Sequence, residues 1–164
     1  MAPISRFGTT AARVRELFNY DPDTGILTAR IAAKNRPVGH VLKNIQLRID
    51  NAFYIKSRII WLHYYGEWPP ELVDHANRNR HDNRIANLRD ASYTENQYNK
   101  VMFNPHGYKG ITWRNRRNPW LAKIRVDGVR INLGSFPTKE DAAKAYEEAC
   151  LKYHGEFANL GVAP

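Results

Sequence analysis

Cysteine is nearly absent: Cys150 is the one thiol in 164 residues. The chain can therefore form no internal disulfide and, without a CxxC pair, no zinc knuckle. Cys150 sits in an alanine-rich helical run with no histidine at a useful spacing, which reads as a packed thiol rather than a nucleophile. Long apolar runs are missing too. No stretch approaches the roughly 18 apolar residues of a membrane span, and the MAPISRFG start lacks the apolar centre of a signal peptide. No basic amphipathic helix offers itself to a membrane surface. A cytoplasmic location is expected, the host cytoplasm if a phage encodes the chain. Acid is scarce: 16 carboxylates face 25 lysines and arginines, giving a formal charge of +9. That balance favours a polyanionic partner, nucleic acid before an acidic membrane.

The charge is uneven along the chain. Residues 104 to 136 carry seven bases (Lys109, Arg114, Arg116, Arg117, Lys123, Arg125, Arg130) against Asp127 alone, whereas residues 70 to 100 carry five of each sign. Helical and strand patterns divide in the same way. Thr9 or Thr10 can cap a short helix through Phe18, DPDTG is a turn, and GILTARI reads as a strand. IQLRIDNAFYIK forms two alternating runs around Asp50-Asn51, a hairpin signal, and RIIWLHYYG is a compact apolar helix stopped by Gly66. A further helix is predicted from about Thr94 to Met102, then a linker near 101 to 106. Beyond it GITWR, PWLAKIRV and VRINLGSF make three strands, the last two joined at Asp127-Gly128. The helix KEDAAKAYEEACLKYHG follows, capped by Thr138 and closed by Gly155. An α+β fold in two domains is expected, 1–102 and 103–164.

Between the two lies VDHANRNRHDNRIANL, residues 73 to 88. Phosphodiester hydrolysis needs a cation on the phosphoryl oxygens, a base for water, and positive charge to hold the anion. Histidine is the natural base near neutral pH. Magnesium takes oxygen ligands, few of them from protein, so Asp74 and an amide oxygen would suffice; Asn96 and Asn99 stand on the helix that follows. Neighbours on a regular strand face opposite ways. Asp74 and His75 thus share a site only where the strand ends or bends.

VDHANRNRHDNRIANLRDASYTENQYNK resembles the HNH, or ββα-metal, nuclease motif in its phage homing-endonuclease form. An Asp-His pair, a polar loop, an NRIANL segment and a helix opening on Glu95-Asn96 appear in order. LFNYDPDTGILTAR and RIIWLHYYGEWPP are similar to the leader of these enzymes, so the likeness covers residues 17 to 100. It implies His75 as general base, Asp74 and Asn96 as ligands of one Mg2+ or Mn2+, and Asn87 as a brace that keeps the loop and His75 in place. Arg78, Arg80 or Arg84 would hold a phosphate. Ser57-Arg58 stands where members often carry His-Arg. His63, Trp61 and Trp68 read as packing residues, His40 and His106 as loop residues, and Asn99 as a helix-surface residue; His81 is a minor candidate for the phosphate.

In the basic segment, arginines and tryptophans alternate with apolar residues, so one face of a three-stranded sheet can pack a helix while the other presents cations. Residues 106 to 160 resemble the plant AP-two (ethylene-response-factor) DNA-binding domain through Tyr108-Lys109-Gly110, Pro119-Trp120, Ala122 to Arg125, Leu133-Gly134, Phe136 and TKEDAAKAY. The resemblance implies DNA contacts from Lys109, Trp113, Arg114, Arg116, Arg117, Trp120, Lys123, Arg125 and Arg130. Asn132 replaces a frequent tryptophan and Lys123 a frequent glutamate, so no site sequence carries over. The expectation is a metal-dependent endonuclease of duplex DNA, monomeric. Its rivals are a DNA-binding regulator with an inactive nuclease-like half and a protein directed at RNA.

Overall fold

A computed structural model of the chain describes residues 8–33, 35–100, 104 and 106–160. These residues divide into two units, Met1–Ser92 and Tyr93–Pro164, and among them stand four α-helices and nine short strands.

The N-terminal unit begins with α1 (Ala11–Leu17), capped by Thr10, whose side chain accepts from the amide of Arg13. Phe18 was expected to end this helix; instead its backbone is extended and it opens β1 (Phe18–Asp21), which pairs antiparallel with β2 (Ile26–Ala29). The Phe18 ring goes into the core, 1% exposed, so a helical pattern and a buried strand start looked alike in sequence. DPDTG is the turn between them, held by the Asp21 carboxylate accepting from the Asp23 amide and the Thr24 hydroxyl. The second hairpin, β3 (Gln46–Ile49) with β4 (Ala52–Ile55), turns at Asp50-Asn51, both with positive φ, 42° and 71°. Asp and Asn tolerate that region, and paired positive φ values match the twist of a tight hairpin.

Helix α2 (Lys56–Tyr65) ends on Gly66 at φ 83°, a left-handed position that favours glycine. It buries Ile59, Ile60 and Leu62 against Val14, Leu17, Phe18, Leu27, Leu47, Ile49 and Leu88. Each such side chain contributes about 1.5–3 kcal/mol on leaving water. His63, Trp61 and Trp68 pack at the edge of this core as expected; the His63 Nε2 donates to the Phe18 carbonyl at 3.2 Å. The unit closes with β5 (Leu72–His75) antiparallel to β6 (Leu88–Ala91).

The C-terminal unit begins earlier than the sequence boundary of 102/103 suggests, at α3 (Tyr93–Asn99). The reason is in the packing of its last turn. The Tyr98 ring stacks on His154 at 3.7 Å and 11°, and its hydroxyl donates to Asp127 Oδ1 at 3.0 Å. The carbonyls that a helix end leaves without partners are met from the same unit: Lys109 Nζ donates to Tyr98 O at 2.7 Å, and Asn159 Nδ2 to the carbonyls of Asn99 and Lys100. Asn99, expected on the helix surface, is therefore buried, 6% exposed. The predicted helix end at Met102 lies outside the described residues.

Strands β7 (Ile111–Trp113), β8 (Trp120–Val126) and β9 (Val129–Phe136) form an antiparallel sheet in chain order, and α4 (Lys139–His154) crosses one face. Asp127-Gly128 makes the β8–β9 turn with both φ positive. Ile111, Ala122 and Ile124 face Ala142, Ala143, Tyr146 and Ala149. The small side chains of α4 let helix and sheet approach closely. A Cβ on Gly110 would overlap the Tyr146 ring, so glycine is required there by contact as well as by its φ of 75°. Cys150 is buried as expected, but a histidine does stand at a useful spacing. His154, one helical turn on, brings Nδ1 to 3.4 Å from Sγ, because positions four apart share a helix face.

Candidate active site and nucleic-acid interface

The loop from Ala76 to Asn87 leaves β5 and returns to β6, and Asn87 closes it. The Asn87 side chain accepts from the Asn77 amide at 2.9 Å and donates to the Asp82 carbonyl at 2.7 Å, while its own carbonyl accepts from the Ala76 amide. Asn87 is 8% exposed, and a buried amide satisfied on both sides fixes the backbone around it. Asn77 and Asn79 add local turns by accepting from amides two residues on. Arg78 takes positive φ, 65°, in the tight return after His75.

His75 is the last residue of β5 and is half-buried. Its Nε2 lies 3.2 Å from Asn83 Oδ1. Burial holds its pKa below the ordinary histidine value, with Asn83, Asp74 and Asp82 opposing that shift, so the ring is neutral at neutral pH and able to take up a proton. Asp74, one residue before the strand end, meets a different partner. It sits opposite Arg89 on β6, whose Nε and Nη2 both donate to Oδ2, at 3.0 and 2.8 Å. Asp74 is 7% exposed, so this arginine is the partner that a buried carboxylate requires.

Of the three loop arginines, Arg84 is committed. Its Nε and Nη2 donate to the two oxygens of Asp82, at 2.8 and 2.6 Å, which with Asn77 brings the Asp82 pKa down to about 2. Arg78, Arg80 and His81 are exposed on the same loop. Asp74, His75 and Asn87 all lie in the N-terminal unit, the first two as neighbours on β5 and the third at the end of the loop. Asn96 stands half-buried on α3 of the C-terminal unit. Among the described residues, no group of three or more His, Cys, Asp and Glu side chains could hold a metal ion, a pattern that one carboxylate and one amide would not form. Sequence reasoning missed Asn83 and Arg89. Arg89 could have been found only from the β5–β6 register, which no spacing in the polar loop discloses.

In the C-terminal unit, Lys123, Arg125, Arg130 and Asn132 share the sheet face away from α4. Arg125 lies directly opposite Arg130, and Lys123 opposite Asn132. Like charges placed opposite each other across strands repel, an arrangement suited to an anion lying over them. Trp113 is 52% exposed at the end of β7 and pairs with Trp120, while Arg114, Arg116 and Arg117 are exposed in the β7–β8 turn. His106 meets the Trp120 ring edge-on at 5.3 Å. Lys109 differs from the others, because its ammonium is engaged by the Tyr98 and Lys100 carbonyls.

Residues 54–98 match the HNH endonuclease family, a span that holds Asp74, His75, Asn87 and Asn96. The phage T7 protein 3.8 is 31% identical over 90 residues, which cover 54% of this chain and 74% of that protein. The chain belongs to the HNH endonuclease family. It is also 32% identical over 95 residues to the HNH endonuclease L560 of Acanthamoeba polyphaga mimivirus, covering 57% of this chain and 49% of that protein. A 50-residue match at 42% identity links it to the rice AP2-like ethylene-responsive transcription factor CRL5, over 29% of this chain and 8% of that protein. The chain thus spans about half or less of the length of these two relatives. No solved structure matches the chain.

Proposed function

We propose that the chain is a metal-dependent, homing-type endonuclease that hydrolyses phosphodiester bonds in duplex DNA. The observation that carries this reading is the closed loop at the end of β5, where Asn87 bridges both ends and His75 meets Asn83 at 3.2 Å, inside the family match. His75 takes the proton of the attacking water. Asn87 keeps the loop, and with it His75, in place. Arg78 or Arg80, both exposed on the loop, holds a phosphate oxygen.

The donor set fits a hard divalent cation. Asp74 supplies a carboxylate and Asn96 an amide oxygen, whereas the chain's one thiol is buried within the C-terminal unit, and oxygen donors select Mg2+ or Mn2+ over softer metals. Asp74 and Asn96 would hold that ion, whose chemistry when bound is to neutralise charge building up on the phosphoryl and leaving oxygens.

The C-terminal sheet is the DNA-binding module, of AP2 or ERF-like kind. Trp113, Arg114, Arg116, Arg117, Trp120, Lys123, Arg125 and Arg130 approach the duplex. Lys109 braces α3 and adds its charge behind them. Phosphate contacts of this kind position an enzyme without specifying bases. The short match to an AP2-like transcription factor supports the module, as does the cationic face opposite α4.

The test is supercoiled plasmid incubated with the full chain and Mg2+ or Mn2+. Conversion to nicked or linear DNA only when metal is present is expected. Retarded but uncut plasmid with every divalent ion would favour a DNA-binding regulator.

A further inference from the structure

Asn83 is 2% exposed and ranks among the most completely buried large side chains, although it lies in a polar loop. Three polar groups of this residue are accounted for. Its Nδ2 donates to the His81 carbonyl at 3.2 Å, its backbone carbonyl accepts from the Tyr20 hydroxyl at 2.7 Å, and its Oδ1 faces His75 Nε2 at 3.2 Å. A carbonyl only accepts, so the His81 contact fixes which end of the amide is NH2. The oxygen must then face the histidine. An oxygen without hydrogen can only accept, so His75 Nε2 is the donor, and in the neutral ring the lone pair lies on Nδ1.

We propose that Asn83 is a positioning residue for the reaction: it holds the His75 proton on Nε2, so that Nδ1 is the nitrogen that takes the proton from water. This rests on the reading of His75 as general base. The partner is a neutral amide rather than a carboxylate because Asp82, the neighbouring acid, is spent on Arg84 and Asn77. The β1–β2 hairpin is the buttress. Besides Tyr20, the Pro22 carbonyl accepts from the Ile85 amide at 3.0 Å. A Cβ on Gly25 would overlap the Asn83–Arg84 peptide, so a hairpin some 60 residues earlier presses directly on the backbone of the residue that orients the base.

The first measurement needs no variant. Long-range 1H–15N spectra of the full chain at about pH 8, above the ordinary histidine range, report which His75 nitrogen carries the proton. Nε2–H is expected; Nδ1–H would overturn the proposal. Asn83→Ala and the milder Tyr20→Phe then test the consequence. In Asn83→Ala the His75 spectrum shifts toward a mixture of tautomers, and kcat falls roughly 10- to 100-fold with KM for DNA little changed, as expected when orientation of a base is lost. Tyr20→Phe moves both readouts the same way but less. An unaltered His75 spectrum in Asn83→Ala, or a loss confined to KM, would overturn it. If the native chain carries Nε2–H and Asn83→Ala releases it, yet no DNA is cut, the nuclease reading fails and the tautomer assignment stands. Cleavage with Nδ1–H gives the reverse.

Discussion

Asp74 and Arg89 face each other across β5 and β6, and two guanidinium nitrogens converge on one carboxylate oxygen at 2.8 and 3.0 Å. The pair lies inside the fold, and its acid is next in the chain to the proposed base. Removing one partner of a buried pair strands the other charge. Arg89→Met is therefore expected to cost about 2–3 kcal/mol in urea unfolding, and Asp74→Asn in the same background to recover part of it. Additive losses in the double mutant would show that the two do not act as a pair.

Asn87 closes the loop by two side-chain bonds, to the Asn77 amide and the Asp82 carbonyl. Asn87→Ala should lower stability by about 1–3 kcal/mol, speed hydrogen exchange at the Asn77 amide, and reduce cleavage while leaving DNA affinity near native. Unchanged exchange at Asn77 would contradict the role assigned to it.

The opposed Arg125 and Arg130 are predicted to contact phosphates. Replacing either by alanine should weaken DNA binding similarly for all sequences and reduce the log–log salt slope by about 1. Affinity that barely changes from low to moderate salt in the native chain would remove the sheet from the DNA-binding account.

His154 gives the C-terminal unit a pH dependence of definite sign. Burial lowers its pKa, against the opposing effect of the Arg125 carbonyl; Lys109 adds to the lowering and Asp127 opposes it. Its Nε2 donates to that carbonyl at 2.9 Å, and Nδ1 lies 3.4 Å from the Cys150 sulfur. Because the folded ring binds a proton less readily than the unfolded one, its contribution is intact above the unfolded value of about 6.5 and is lost as pH falls through the folded value. Melting followed at about pH 7.5 and about pH 5 should show the loss, smaller in His154→Gln. A transition that rises on acidification would contradict the sign.

Much of this was legible in the sequence where local chemistry dictates the backbone. Asp50-Asn51 and Asp127-Gly128 mark hairpins because few residues accept paired positive φ, Gly66 marks a helix end for the same reason, and Thr138 marks a helix start because its side chain accepts from the Asp141 amide. Three strands and a helix could be read in the basic third because their periods differ so clearly. What was not legible depends on tertiary packing. Phe18 opens a strand because its ring is drawn into the core. Tyr98 and Asn99 attach α3 to the C-terminal unit through His154 and Asn159, which lie 56 and 60 residues away in the chain. At the site, the Asp74-His75 pair stood out by residue type, and Asn87 through the resemblance to the HNH motif. Asn83 looked like one more polar loop residue, since only burial and the His81 and Tyr20 contacts distinguish it.

The most direct measurement is cleavage of duplex DNA by His75→Ala beside the native chain, with affinity for the same DNA measured in parallel. Loss of cleavage by roughly 100-fold or more, with binding retained within a few-fold, is the predicted result. A variant that cuts as fast as the native chain would contradict the assignment of His75 as the base and the account built on it.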